Sequence, residues 1–399
     1  MRHSSLLASP LIAALGLTAC GGSMGGGDDD GSADGEPNEV FTVGIVAPLT
    51  GNASLEGNAL SDGFTLAVDE INADEGLLGN DIELVYVDDQ GDAAQSTQAA
   101  QQLIQQDEVD YIFGTVAGDT SEAAAGVAES AEVPFSTSIV GSIPHCSPHF
   151  WPFGATEQTA VEDLIPHMME EYGESVALVG NDYLFPRQYH EVAADIIEEA
   201  GGEVVVEEYS SMGTSDWQPV INQISSADPD WVLTAVVGGD AISFTQQADQ
   251  FGLLDDVGIT GTSMQQEFFP ATADIIAGEV TAQPYSDQVD SEENAAFVEA
   301  YRDEFDFEDP IPVVAATSYH AAHYIAEAVE AAGSTDAEAI SAQMPEVEYS
   351  GLIGSGSFDA ENHTFSSHMR LLEIGEDGAY EPIEDYGVVE DTWIDRDCS

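Results

Sequence analysis

One thirty-residue stretch constrains the fold more than any other part of the chain. It extends from Val43 to Asn72 and reads VGIVAPLTGNASLEGNALSDGFTLAVDEIN. The pattern predicts a buried strand, a Pro-Leu-Thr-Gly turn and a helix with one apolar face. In α/β proteins, a helix that begins at the carboxyl end of a strand offers its first N–H groups to a small ligand. The apolar residues of this helix recur with the helical period: Leu60, Phe64, Ala67, Val68 and Ile71.

The order of the predicted elements indicates two α/β lobes. Short strands and amphipathic helices alternate from Phe41 to Ile139, stop at a proline-containing stretch from Gly141 to Phe153, and alternate again from Val176 to Gln283. Such alternation produces parallel sheets with right-handed crossovers. Because a single core stops growing beyond about 250–300 residues, the 399 residues of the chain are expected to form two doubly wound, Rossmann-like lobes.

The last helices and the C-terminal strands cannot all belong to the second lobe. We therefore expect the chain to cross back near Tyr285 and again near Pro345. The predicted first lobe consists of residues 40–155 with 286–344, and the second lobe of residues 156–285 with 345–399.

The charge of the chain excludes nucleic acid as a partner. There are 76 acidic residues against five basic ones, giving a formal net charge of −71, and phosphates would be repelled. An acidic disordered protein is the competing interpretation. The acids lie between regular apolar periods, however, so we interpret them as a solvated surface that needs salt to screen its own repulsion. The composition resembles that of proteins from extreme halophiles.

The N-terminus predicts export and lipid anchoring. Arg2 precedes an apolar run from Leu6 to Leu17, which is typical of a signal peptide over residues 1–19. The following Leu-Thr-Ala-Cys resembles a lipobox, in which Cys20 receives the lipid; a chance signal-peptidase site is the alternative. Residues 20–39 are rich in Gly and Asp and predict a flexible acidic tether. The expected location is the extracellular face of the cell membrane.

Two further cysteines and several histidines allow other chemistry. An exported protein permits disulfides, and a bond between Cys146 and Cys398 is a hypothesis. His145 and His149 flank Cys146 closely enough for a metal site, but no second cluster at ligand spacing follows, so no metal is expected.

The sequence gives little support for an enzyme. A Walker A pattern, a G-x-G-x-x-G motif and lysine are all absent from the sequence, so no cofactor is expected. No nucleophile can be paired with a base from the sequence. A binding function is the stronger interpretation.

The stretch from Val43 to Asn72 closely resembles the first motif of extracytoplasmic solute-binding proteins of the leucine, amide and urea type. The alternation of elements makes the whole mature chain similar to the type I periplasmic-binding-protein fold. That resemblance implies two Rossmann-like lobes joined by a three-strand hinge. It also implies a monomer that captures a branched-chain amino acid, short amide or urea by cleft closure and delivers it to ABC permease subunits. A ligand-sensing receptor of the same fold is the alternative.

Two segments carry the resemblance to the pocket of this family. The run Asn-Asp-Tyr-Leu-Phe-Pro-Arg after the first strand of lobe two resembles the aromatic motif of amide binders, which implies that Tyr183 and Phe185 cover the ligand. The alternative is that both rings pack the hinge. In lobe one, similarity to the ligand-wrapping loops implies five more contacts: Val116, Ala117, Gly118, Phe135 and Thr137.

One loop bears on the charge of the ligand. Amino-acid binders of this family hold the ligand ammonium with a carboxylate after a late strand of lobe two. Ser263 stands at the expected place, and Glu267, four residues on, is the alternative. A buried ammonium needs a partner charge, so a neutral loop favours a neutral, amide-like ligand over an amino acid.

Overall fold

The computed structural model describes residues 40–139, 141 and 144–398. The predicted signal peptide, the tether and Cys20 lie outside the described residues. None of the helices within the described ranges is long and apolar enough to span a bilayer.

The first parallel sheet is built from strands with the order β2-β1-β3-β4. Its strands are β1 (Thr42–Ala47), β2 (Glu83–Asp88), β3 (Tyr111–Gly114) and β4 (Phe135–Ser136). The helices that connect them are α1 (Ser54–Asp74), α2 (Ala93–Gln105) and α3 (Gly118–Ser130). The motif from Val43 to Asn72 therefore forms β1 and α1, as its apolar periods predict.

The second parallel sheet repeats the same strand order, β6-β5-β7-β8. Its strands are β5 (Ser175–Asn181), β6 (Glu203–Ser210), β7 (Trp231–Ala235) and β8 (Gly258–Gly261). Its helices are α4 (Glu157–Val161), α5 (Leu164–Glu171), α6 (Leu184–Glu199), α7 (Gln218–Ala227), α8 (Gly238–Gln250) and α9 (Phe269–Ile276). The sequence predicts one long helix where α4 and α5 occur, and the break between them falls at Glu162 and Asp163.

The remaining elements cross between the two parts of the molecule. They are β9 (Val280–Gln283), α10 (Glu292–Phe305), α11 (Val313–Ala332), α12 (Ala337–Gln343), β10 (Tyr349–Gly351), β11 (Gly354–Phe358), β12 (Phe365–Ile374) and β13 (Tyr380–Val389). Strands β10 to β13 form an antiparallel sheet in sequence order. Strand β9 is not part of this order, and it pairs with residues 370–373 of β12. These elements form two doubly wound lobes with parallel sheets, which is the type I periplasmic-binding-protein fold.

The packed cores define where the chain changes lobe. Helix α11 returns to the first lobe and lies so close to α1 that a Cβ on Gly63 would come within 2.0 Å of the Ala315 carbonyl oxygen. Clusters on the two faces of the second sheet form the other core, which includes Met369 and Leu372 of β12.

The structure changes one predicted boundary. Residues 345–365 are expected in the second lobe, yet Val347, Ile353 and Phe358 pack into the first core together with Phe365. The return to the second core therefore takes place within β12, because β10 and β11 bury their apolar side chains against α11 rather than against the second sheet. The other proposed lobe boundaries remain predictions.

A disulfide holds the C-terminal tail. The sulfur atoms of Cys146 and Cys398 are bonded at 2.13 Å, across 252 residues of sequence. The tail is also held by hydrogen bonds, since the Cys398 N–H donates to the Glu361 carbonyl at 2.7 Å and Arg396 Nε donates to the Asn362 carbonyl at 3.0 Å.

Candidate functional site

A cavity of about 80 Å³ lies between the two lobes. Its walls come from segments that follow the carboxyl ends of strands in both parallel sheets, where ligands bind in open α/β folds. The space has room for several ordered waters or a small organic group. The first lobe contributes Glu56, Val116, Ala117, Gly118, Ser138, Ile139, Val313, Val314 and Thr317. The other wall is formed by Ala155, Tyr183, Phe185, Val237, Gln265, Glu267, Gln283 and Pro284.

The start of α3 forms the first wall, and the loop that leads to it is tightly fixed. Gly114 has a φ of +140°, and a Cβ there would lie 2.0 Å from the Val46 carbonyl oxygen, so only glycine fits. Thr115 follows with a φ of +62°, and its hydroxyl bonds to that of Ser121 inside α3. Together these contacts direct the first residues of α3 to the cavity.

Aromatic rings from α6 form the opposite wall. Tyr183 is the N-cap residue of α6 in an extended conformation, and its ring centroid lies 6.4 Å from that of Phe185. Phe185 in turn packs on Tyr189 at 5.5 Å and lies close to the backbone of Gly141. Burial, followed by the charges of Asp119 and Glu56, raises the pKa of Tyr183. The phenol therefore stays neutral and can donate a hydrogen bond.

Two carboxyl groups line the same cavity. Burial raises the pKa of Glu56 to about 7, although its own N–H and that of Gly238 are within hydrogen-bonding reach and act the other way. Burial, and then the nearby charge of Glu56, raise the pKa of Glu267 to about 8. Glu56 comes from lobe one and Glu267 from lobe two, so one acid is supplied by each wall.

The two lobes touch at the rim of the cavity. Gly238, the first residue of α8, has a φ of +59°, and a Cβ there would lie 2.9 Å from Asn52 Nδ2 of the first lobe. A Cβ on Gly239 would lie 2.6 Å from Asn52 Oδ1. Such close approach across the cleft identifies a closed arrangement of the lobes.

Six of the nine residues proposed to contact ligand line this cavity. They are Val116, Ala117, Gly118, Tyr183, Phe185 and Glu267.

Three others are turned into packed interior, which corrects the prediction for them. Phe135 stacks on Phe150 at 5.5 Å between β4 and the following loop. The hydroxyl of Thr137 donates to the Thr115 carbonyl at 3.2 Å. The hydroxyl of Ser263 lies 2.6 Å from that of Thr234 within the second sheet.

Sequence reasoning missed most of the remaining wall. Glu56 was detectable in principle, because it is the acid in the first turn of α1 and lies inside the motif that predicts the site. Val313 and Thr317 lie one turn apart at the start of α11, which reaches the cavity through long-range packing that no local pattern reveals. Gln265 and Gln283 belong to no sequence motif that would have predicted their place in the wall.

In the loop that contains His145, Cys146 and His149, all three side chains make structural contacts. His145 pairs with Glu129 at 3.4 Å, His149 bonds to the Ser341 hydroxyl at 2.9 Å, and Cys146 forms the disulfide. Within the described ranges, no group of three His, Cys, Asp or Glu side chains is arranged to hold a metal ion.

The fold and the cavity define a two-lobed binding protein that encloses a small solute. Comparison of sequences makes the assignment specific: residues 40–379 match the periplasmic binding protein family. The chain belongs to this family.

Relatives and solved structures agree with that assignment. A Leu/Ile/Val-binding protein homolog of Brucella suis is 28% identical over 363 residues, which are 83% of this chain and 88% of the relative. An ABC transporter substrate-binding protein from Sphaerobacter thermophilus is similar with a TM-score of 0.79 and 25% identity, covering 88% of this chain and 98% of that one. A Rhodopseudomonas palustris solute-binding protein in complex with 3,4-dihydroxybenzoic acid gives 0.80 and 24%, covering 88% and 99%.

Proposed function

We propose that this protein is the extracellular substrate-binding lipoprotein of an ABC importer, which captures a small amino-acid or amide-like solute by closure of its two lobes. The observation that carries the proposal is the cavity itself. Both lobes line it with strand-end segments, and Asn52 meets Gly238 across its rim. A ligand held in this place would be covered on both sides and would stabilise the closed form.

The chemistry of the wall suits binding without turnover. The polar groups are the α3 N-terminus, the phenol of Tyr183, the hydroxyls of Ser138 and Thr317, two glutamines and two glutamates. Such groups orient a solute in a largely apolar cavity. We therefore infer that the solute leaves unchanged and passes to permease subunits, and that the protein works as a monomer. A sensing receptor of the same fold would bind equally well but would act without a permease.

A calorimetric panel combined with X-ray scattering tests the proposal. Urea, acetamide, leucine, isoleucine and valine are titrated into the protein in high salt, and the radius of gyration is measured with and without each solute. At least one solute is expected to release or absorb heat and to reduce the radius of gyration. Scattering that stays the same for every solute, together with no heat of mixing, would refute the function. Release of ammonia from acetamide or urea would instead support an enzymatic function.

The anchor is tested separately from binding. We propose that Cys20 carries a lipid that holds the folded body at the extracellular face of the membrane. Cys20→Ala is expected to move the protein from the membrane fraction to the soluble fraction, while the solute affinity stays the same. Retention of the variant in washed membranes would contradict the anchor.

A further inference from the structure

The C-terminal tail crosses from the second lobe to the first. Val389, the last residue of β13, packs against the second core. Cys398 is bonded to Cys146, in a loop that leads to Trp151 of the first core. Residues 390–398, which we call the strap, therefore connect the two lobes.

The strap spans the same gap as the first crossover of the chain. That crossover lies at Gly154, because Phe153 packs in the first core and Ala155 in the second. At the first-lobe end, the disulfide fastens the strap before the crossover, and Arg396 Nη1 donates to the His145 carbonyl at 3.2 Å. The strap and the crossover are thus joined on the side of the first lobe.

Hydrogen bonds fasten the strap to the second lobe. The hydroxyl of Thr156 donates to the Asp391 carboxylate. The Thr392 N–H donates to Gln158 Oε1 at 2.9 Å, and Gln158 Nε2 donates to the Thr392 hydroxyl at 3.0 Å. Because Thr156 and Gln158 follow the crossover, the two segments form a ring that is closed by the disulfide at one end and by these hydrogen bonds at the other.

The strap contributes little to either core. It contains no helix or strand, and Cys398 is the one residue of the nine that is buried. Trp393, its largest side chain, is 37% exposed. Since burial of apolar surface is what stabilises a core, the contacts at the two ends of the strap affect the relative position of the lobes more than their packing.

We propose that the strap constrains the hinge and favours the closed lobes for as long as the disulfide is intact. The ring limits the backbone freedom of the crossover at Gly154, so that less conformational entropy is lost when the lobes close. All the strap contacts are present in the closed arrangement, in which Asn52 lies against Gly238. A solute held in the cleft and the disulfide then stabilise the same form, and each must strengthen the other by the same factor.

Reduction of the disulfide is the chemical step that would release the constraint. A dithiol such as dithiothreitol transfers two electrons and two protons to the sulfur pair of Cys146 and Cys398. The S–S bond of the protein breaks to give two thiols, and the reductant closes to its own cyclic disulfide.

Opening the ring at either end tests the proposal without any solute. Cys146→Ser combined with Cys398→Ser opens the first-lobe end, and Asp391→Ala combined with Gln158→Ala opens the second-lobe end. In high salt, each pair is expected to increase the radius of gyration measured by X-ray scattering. Amide hydrogen exchange in residues 153–156 is expected to become roughly tenfold faster. All four substitutions together should add nothing further, because a ring that is cut once is already open.

An exposed residue of the strap provides the matched control. Asp395→Ala should behave like the parent. Melting temperature is not the readout, because a disulfide across 252 residues stabilises the folded chain whether or not it acts on the hinge. Equal radii and equal exchange in the parent and both cut variants would overturn the proposal. A response to the cysteine pair alone would also overturn it, since the effect would then not depend on the link between the lobes.

Reduction in the presence of solute tests the reciprocity. The Cys20→Ala chain is equilibrated with mixtures of reduced and oxidised dithiothreitol, and the reduced fraction is measured by alkylation and mass spectrometry. The solute is the one among urea, acetamide, leucine, isoleucine and valine that gives the largest heat. We expect its affinity to be about fivefold or more weaker for the reduced protein, and saturating solute to lower the reduction equilibrium constant by the same factor. A reduction equilibrium that the bound solute leaves unchanged would refute the coupling.

The readouts separate this inference from the proposed function. Only the reduction measurement rests on the proposed function, because scattering and exchange are measured without solute. Those two measurements decide the role of the strap in a protein that binds none of the solutes. Cut variants that match the parent in both affinity and radius of gyration overturn the role of the strap and leave the function standing.

Discussion

Two helices occupy equivalent places in the two lobes and have different surroundings. Helix α3 follows β3 and helix α8 follows β7, the third strand in each sheet order. Both begin with glycine after an extended N-cap residue, Ala117 with φ −141° and Val237 with φ −124°. The start of α3 opens into the cavity, whereas the start of α8 meets Asn52 and Glu56 from the opposite lobe.

The difference arises from the opposite lobe and not from the local sequence. The N-terminus of any helix attracts a negative group, and for α8 that group is the Glu56 carboxyl of α1. At the corresponding end of α3, Ala117 and Gly118 line the cavity, and the side-chain acceptor in the first turn is Asp119 Oδ1, which accepts from the Thr120 N–H at 3.1 Å. One helix end therefore contacts the opposite lobe, and the other faces the space that a solute would fill.

Removing salt is the most severe test of this comparison, because both helix ends depend on a closed, folded protein. At 0.1 M salt the screening length is about 10 Å, against about 3 Å at 1 M, and the net charge is −71. We expect the protein to loosen or unfold below about 0.5 M salt, as measured by circular dichroism and thermal melting. A melting temperature that is the same at 0.1 M and 3 M KCl would contradict the solvated acidic surface.

The substitution Gly238→Ala changes the first residue of α8, which lies against Asn52 of the opposite lobe. Its φ of +59° is unfavourable for alanine, by roughly 1–2 kcal/mol, and the new Cβ would lie 2.9 Å from Asn52 Nδ2. Because the clash exists only when the lobes close, we expect solute affinity to fall by about tenfold to thirtyfold. Titration calorimetry measures the loss.

A second substitution tests whether that clash is the cause. Asn52→Ala removes the side chain that the new Cβ meets, so the double variant is expected to recover part of the affinity that Gly238→Ala loses. Strictly additive losses would show that contact with Asn52 is not the cause.

Tyr183→Ala tests the wall that faces the open end of α3. Tyr183 lines the cavity and lies within electrostatic reach of Asp119 in α3. We expect binding to weaken about tenfold, as for the loss of a buried aromatic contact, with a nearly unchanged melting temperature. Phe251→Ala, at an exposed residue, is the control. Equal affinity in Tyr183→Ala would remove the ring from the site.

The sequence predicted the framework well and the site only in part. Apolar periods located most strands and helices because buried faces impose those periods directly. The tail was misplaced because β10 and β11 present the same alternation whichever core they cover. The pocket aromatics were found because they belong to a contiguous motif. Ser263 was chosen by its place in the loop, but the loop turns so that its hydroxyl bonds to Thr234.

The two acids of the cavity show why the rest of the site could not be predicted from the sequence. Among 76 acidic residues, Glu56 is marked as a first-turn acid of α1 inside the motif, but the sequence does not show that it is buried, since α1 continues with exposed and buried positions alike. Its role becomes visible when α8 of the other lobe is placed against it. Charge patterns along a sequence report solvation, whereas a pair such as Glu56 and Glu267 is created by the closure of two distant segments.

A pH series sharpens the comparison through Glu56, whose carboxyl lies near the Gly238 N–H at the start of α8. In the folded protein without solute, the pKa values of Glu56 and Glu267 are raised to about 7 and about 8, above the ordinary value in the unfolded chain. The folded state then binds more protons, so stability falls as the pH rises from about 5 to 8. Glu56→Gln is expected to reduce this slope of melting temperature against pH, and an unchanged slope would contradict the assignment.

Gly118→Ala is the counterpart of Gly238→Ala, and the smallest change is expected there. A Cβ on Gly118 would meet no atom within 4 Å, and alanine is favourable in a helix by up to about 1 kcal/mol relative to glycine. Stability should therefore stay the same or rise slightly, and affinity for a small solute should change by no more than about threefold, which is under 1 kcal/mol. If both glycine variants lost affinity equally, the two helix ends would have to be regarded as equivalent, although Gly238 has a positive φ and a close contact across the cleft and Gly118 has neither.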